Sequence, residues 1–126
     1  MKIELTLPLP PSANRYYRRV GNRTLLSADA REYRDACRLA AVAQYGGDLV
    51  EDRVRVRIDV YRDLRGDLMN HEKQLMDALE GAVIADDKQV WDCRLVRHLD
   101  RENPRVEITL EAVEAHDAVA SDGEDG

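Results

Sequence analysis

"RVRVRIDVY" at residues 53–61 and "NHEKQLMDALEGAV" at residues 70–83 decide the fold, because the hydrophobic period changes between them. In the first, Val54, Val56, Ile58 and Val60 alternate with Arg53, Arg55, Arg57 and Asp59. That period of two marks a strand with one buried face. In the second, Leu75, Met76, Leu79 and Ala82 recur at helical spacing, which predicts a helix over residues 70–82 capped by Asn70 or Asp67. Further on, "VWDCRLVRHL" (90–99) and "RVEITLEAV" (105–113) read as two strands split by the Asn103-Pro104 turn.

Upstream, "KIELTLP" alternates Ile3, Leu5 and Leu7 with polar residues and stops at Pro8, so it is a half-buried strand. "PLPPSANR" follows as a rigid connection, and "YYRRVGNRTLLS" reads as a β-hairpin around Gly21-Asn22. Ser27 is a good N-cap for a helix carrying Tyr33, Cys37, Ala40, Ala41, Gln44 and Tyr45, ended by Gly46-Gly47. The expected fold is therefore α/β (α+β): a single domain over residues 1–113, with a mixed β-sheet, two helices packed on it and an N-terminal β-hairpin. Residues 114–126 are expected to be a disordered acidic tail.

The 126 residues suffice for one core, and with no Phe and one Trp that core is aliphatic. No apolar run approaches the roughly 18 residues of a membrane span, and the start lacks a long apolar leader, so a soluble intracellular protein is expected. Cys37 and Cys93 each fall on the apolar face of a predicted element and read as small buried side chains, not a disulfide. Neither stands at zinc spacing. In "HEKQL" Leu75 takes the place of the second histidine of a zinc-protease helix. His71, His98 and His116 share no spacing and read as surface residues.

The net charge of −6 is unevenly placed. Five acids sit in the tail, and removing it leaves nineteen basic residues against twenty acids. Residues 14–38 hold seven arginines against three acids. Arg15, Arg18, Arg19 and Arg23 cluster on and around the hairpin, interleaved with Tyr16 and Tyr17. Arginine forks phosphates and aromatic rings stack on exposed bases, which suits nucleic acid. A solvated hairpin whose tyrosines pack on the sheet explains the same letters. Arg53, Arg55 and Arg57 form either a polar sheet face or a basic stripe for a DNA arm.

Asp67 lies between the strand and the helix, Lys73 about one turn into the helix, and Asp86-Asp87 between the helix and the next strand. If the two strands are neighbours, Asp67 approaches Asp87 at one rim of the sheet. Converging carboxylates suit Mg²⁺, which takes oxygen ligands and keeps several waters. A lysine beside them can neutralise charge on a scissile phosphate. On spacing alone, a helix N-cap, a solvated turn and a surface lysine account for the same residues.

Four stretches in order, "LPLPPSANRYYRR", "LLSADAREYRDA", "GDLMNHEKQLMDAL" and "ADDKQVWD", resemble the RusA family of Holliday junction resolvases over residues 3 to 112. The resemblance implies a homodimer that binds four-way DNA junctions in the bacterial or phage-host cytoplasm and nicks two strands with Mg²⁺. It implies catalytic roles for Asp67, Lys73 and Asp87, with Asp67 and Asp87 as metal ligands. Asn70, Glu72 and Asp86 are candidate supporting residues. Arg15, Arg18, Arg19, Arg23 and Arg65 are the candidate DNA contacts.

One position departs from the motif: its second aspartate falls on Met69, whose thioether is too soft a ligand for Mg²⁺. This chain is therefore expected to be weakened or inactive unless Glu72 substitutes. The alternative is a catalytically silent protein that binds branched DNA. Gly66 stands where an arginine precedes the first aspartate, with Arg65 one place earlier, and the segment before the acidic doublet is one residue shorter.

Overall fold

The computed structural model describes residues 1–11, 17–63 and 70–113, and for Asn70 and His71 the backbone alone. In chain order the elements are β1 (Lys2–Leu7), β2 (Tyr17–Val20), β3 (Arg23–Leu26), α1 (Ala28–Tyr45), β4 (Val54–Arg62), α2 (Asn70–Leu79), a 3-10 turn (Asp87–Gln89), β5 (Val90–Leu99) and β6 (Arg105–Ala112). The main sheet runs β1-β6-β4-β5 and is mixed. β6 is antiparallel to both β1 and β4, whereas β4 and β5 are parallel. The expected mixed sheet, two helices and hairpin are all present. The predicted tail, residues 114–126, lies outside the described residues.

The period-two pattern of β4 has the anticipated result: Val54, Val56, Ile58 and Val60 are buried. They line up with Val106, Ile108 and Leu110 of β6, and Ile3, Leu5 and Leu7 of β1 complete the inner face. α1 covers this face with Ala30, Tyr33, Cys37 and Ala41, and α2 with Leu75, Met76, Ala78 and Leu79. The second helix ends at Leu79, three residues before the expected boundary, because the chain turns at Gly81 with φ 88°. Ala82, Val83 and Ile84 still pack in the core from that turn.

α1 is fixed at both ends. The Ser27 side chain accepts from the Ala30 N–H at 3.1 Å, and Gly46, at φ 66°, donates its N–H to Val42 O at 2.8 Å. Two side chains then tie α1 to the first strand and its exit. The Tyr33 hydroxyl donates to Pro8 O at 2.8 Å, and the Gln44 amide pairs with both Thr6 N and Thr6 O at 2.8 Å. Gln44 thus occupies backbone groups that an adjoining strand would otherwise use.

Both cysteines are free, and only Cys37 is buried. Burial pushes its thiol up to about 11. Cys93, expected inside, is instead exposed, on the edge strand β5. Partial burial, then the charges of Glu72 and Asp92, still push its thiol up to about 11. No helix among the described residues is long and apolar enough to cross a membrane.

Candidate metal centre

The rim where β5 begins is held by one side-chain amide. Gln89 Oε1 accepts from Ala85 N at 2.8 Å and Asp86 N at 2.7 Å. Its Nε2 donates to Val50 O at 2.7 Å and Asp52 O at 2.9 Å, tying the turn to the segment that enters β4. Asp86 caps the same 3-10 turn, its Oδ1 accepting from Lys88 N at 2.9 Å. Capping by Asp86 leaves Asp87 pointing outward, exposed, at the start of β5.

Glu80 approaches from the end of α2. Its N–H donates to Met76 O at 3.0 Å, continuing the helical spacing, and its Oε2 accepts from Asp87 N at 2.9 Å. Carboxylate oxygens of Glu80, Asp86 and Asp87 all lie within 4.8 Å of one another. Lys73 is seven residues before Glu80, two helical turns, and so shares its face. The Lys73 charge is felt at Asp87.

Three acids this close cannot all ionise freely. A hydrogen bond to Asp86, then burial and the charges of Glu80 and Asp86, raise the Asp87 carboxyl, while Lys73 pulls it back. The Lys88 backbone N–H holds Asp86 below the usual carboxylate range. Asp86 therefore keeps its charge and Asp87 is the group that titrates late. All the donors are hard oxygens, open to solvent, and suit a small divalent cation that retains water. Two oxygens bound to one Mg²⁺ stand at most roughly 4 Å apart, so the cluster needs only a small closure to hold one.

Asp86 and Asp87 lie together beside Glu80, within range of the Lys73 charge. Asp67, Met69, Arg65, Arg15 and the Asn70 side chain lie outside the described residues. Glu72 is not in the cluster, and its charge is felt at Cys93 on β5 instead. Glu80 was missed. Its only signal was helical geometry, two turns after Lys73. The expected approach of Asp67 to Asp87 falls on a residue outside the described ones. β4 and β5 are neighbours, but Arg62 pairs with Leu99 and Val54 with Val90. The end of one strand and the start of the next thus lie at opposite rims of a parallel pair, and α2 is what carries Lys73 back towards Asp87.

The hairpin arginines do not share one face. Arg18 lies opposite Leu25, and Val20 opposite Arg23, which puts Arg18 and Arg23 on one side. Arg19, opposite Thr24, projects from the other side with Tyr17, which packs against the core. Arg18, Arg19 and Arg23 are exposed and form no ion pair among the described residues. The arginines of β4 are spent locally. Arg53 stacks over Trp91 at 4.3 Å, Arg55 pairs with Asp92 at 3.0 Å, and Arg57 pairs with Asp59 at 3.1 Å. Burial works to raise Asp59, yet hydrogen bonds from Arg57 and His98 hold it low.

Crowded acids beside a lysine, in a chain that also carries an uncompensated basic hairpin, are the features of a divalent-cation nuclease. The family model described as Endodeoxyribonuclease RusA matches residues 8–111, and the chain belongs to that family. Among its relatives is the crossover junction endodeoxyribonuclease RusA of Escherichia coli K12, 38% identical over 109 residues, covering 84% of this chain and 91% of the relative. The enzyme of the same name from Enterobacteria phage 82 is 37% identical over the same shares, and that of Shigella sonnei 38%.

The raised Asp87 carboxyl has a consequence for stability. A folded value above the unfolded one contributes stability at acid pH that is lost as pH rises through the folded value. At neutral pH without divalent ions, Asp87→Asn should melt above the unmodified chain, by an amount limited by solvent screening, and the gap should close as pH falls into the carboxylate range. Millimolar Mg²⁺ should raise the melting temperature of the unmodified chain alone. Equal melting at every pH would remove Asp87 from the crowded cluster.

Proposed function

We propose that this chain resolves four-way DNA junctions by paired, Mg²⁺-dependent nicks. The observation that carries the reading is the Asp87 carboxylate held beside Asp86, Glu80 and Lys73 in a chain of the RusA endodeoxyribonuclease family. Family membership makes it a DNA nuclease acting on branched substrates. The specific metal and the residue roles are our assignment.

Asp87 and Asp67 are the metal ligands. When bound, Mg²⁺ supplies Lewis-acid activation of water and stabilises the leaving oxygen of a phosphodiester. Lys73 places its ammonium against the scissile phosphate and offsets negative charge as it builds there. Asp86 holds the turn that presents Asp87, and Asn70 supports the entrance of α2. Arg18 and Arg23 on one side of the hairpin and Arg19 on the other bind phosphates, and Arg15 and Arg65 are assigned to the same task. A homodimer presents two copies of the site to a substrate that needs two cuts. The bacterial or phage-host cytoplasm is the compartment this substrate implies.

Junction gel shifts test the DNA surface. Log affinity should fall steeply with log salt, and Arg18→Ala with Arg23→Ala should flatten that slope by about 0.9 for each phosphate no longer neutralised. An unchanged slope would take the hairpin off the DNA.

Met69 favours one rival, a binder that does not cut. Mg²⁺ added to bound junctions separates the two readings through the presence or absence of paired nicks. Met69→Asp adds a hard ligand next to Asp67 and should increase nicking at least tenfold, about what removal of one metal-site partner typically costs. Adding Asp87→Asn to that variant should abolish cutting while binding persists. A folded Met69→Asp protein that binds junctions and gains no cleavage would sink the assignment of position 69 to the site.

Light scattering at micromolar concentration should give twice the 14.3 kDa chain mass. A single-chain mass would rule out the dimer.

A further inference from the structure

We propose that Arg34 and Arg38 of α1 form a second site for a DNA backbone phosphate, apart from the hairpin arginines. The inference rests on the branched-DNA function proposed above. Spacings of three and four residues put Arg31, Arg34 and Arg38 along one stripe of the helix. Both ends of that stripe are tied down. Arg31 Nη1 donates to the carbonyl of Leu26, the last residue of β3, at 3.2 Å, and Arg38 Nη2 donates to Asp77 O in α2 at 3.1 Å. A carbonyl is neutral, so each bond satisfies an N–H and leaves the charge of the arginine in place.

Arg34, between them, has no hydrogen bond among the described residues. Its Nε is buried without an acceptor, and so is the Nε of Arg38. The carboxylate of Asp35 stands 3.8 Å from Arg34 Nε, beyond hydrogen-bond reach, and is itself open to solvent. A buried donor left unmade carries its full desolvation cost, and like charges one helical turn apart repel. Both penalties fall on the same two side chains. A phosphate removes both at once, because its oxygens accept from guanidinium N–H groups and its charge offsets theirs. The Arg34 side chain remains 29% exposed, so a ligand can reach it from solvent. DNA is the source of the phosphate because the chain belongs to a DNA nuclease family, and because the stripe starts where the hairpin ends.

The test is a salt titration of four-way junction binding by the full chain. Arg34→Gln keeps a polar side chain, removes the charge and breaks no hydrogen bond among the described residues. Its plot of log affinity against log salt should be shallower than that of the unmodified chain by about 0.9, one phosphate no longer neutralised. The same drop should appear when Arg34→Gln is added to Arg18→Ala with Arg23→Ala, since the two sites hold different phosphates. Arg34→Lys, which restores the charge, should restore the slope. Melting without DNA should not fall in either variant at position 34. An unchanged slope in Arg34→Gln, with the unmodified chain binding junctions, would overturn the site. A shallower slope that Arg34→Lys does not restore, accompanied by a lower melting temperature, would make Arg34 structural and overturn it as well. Failure of the unmodified chain to bind junctions would instead overturn the DNA reading beneath it.

Discussion

Parallel pairing of β4 with β5 is the constraint on which the rest depends. Two parallel neighbours cannot be joined by a tight turn, so the chain must leave one rim and return to the other across a face of the sheet. α2 is that return path. Its apolar side fills the core with Leu75, Met76 and Leu79, while Lys73 and Glu80 come out facing the rim where β5 starts. Core and site are therefore two faces of one crossover. A shift of α2 by one residue would turn both faces at once.

Most of the fold was legible because its signals are local and repeated. The alternation in "RVRVRIDVY" reports the buried face of β4 directly, and Ser27 and Gly46 bracket α1 by the chemistry of their own backbones. The weaker readings all involve sheet position. Cys93 lies on the side of β5 that faces the helices, but a sequence does not say that β5 is an edge strand, where that side stays exposed. The direction of pairing is hidden for the same reason: parallel and antiparallel neighbours look alike in one chain's letters, and the choice decides which strand ends meet.

The site was legible as chemistry more than as geometry. Asp87 and Lys73 stand out as candidates from the order of four short stretches. Glu80 does not, since nothing in "ALEGAV" says that the helix end meets the acidic doublet. The arginines show the reverse case. Those of β4 looked like a candidate stripe for DNA until Trp91, Asp92 and Asp59 were found beside them, whereas the hairpin arginines kept their charge. Asp92, the neutralising partner of Arg55, lies on the neighbouring strand and far away in sequence, so counting residues overstates how basic a surface is.

The clamp of Gln44 on Thr6 matters beyond tying a helix to a strand. A sheet ending on a bare strand offers a row of donors and acceptors to any extended chain that drifts past. At β1 a side chain already satisfies one such pair, so recruitment there would have to begin by evicting an amide anchored to an 18-residue helix. The opposite flank ends on β5, with Trp91 and Leu99 exposed along it. Among the described residues the sheet is directional in its capacity to grow: guarded at Thr6 on the flank next to the amino terminus, with no such clamp on the strand that begins at the acidic turn.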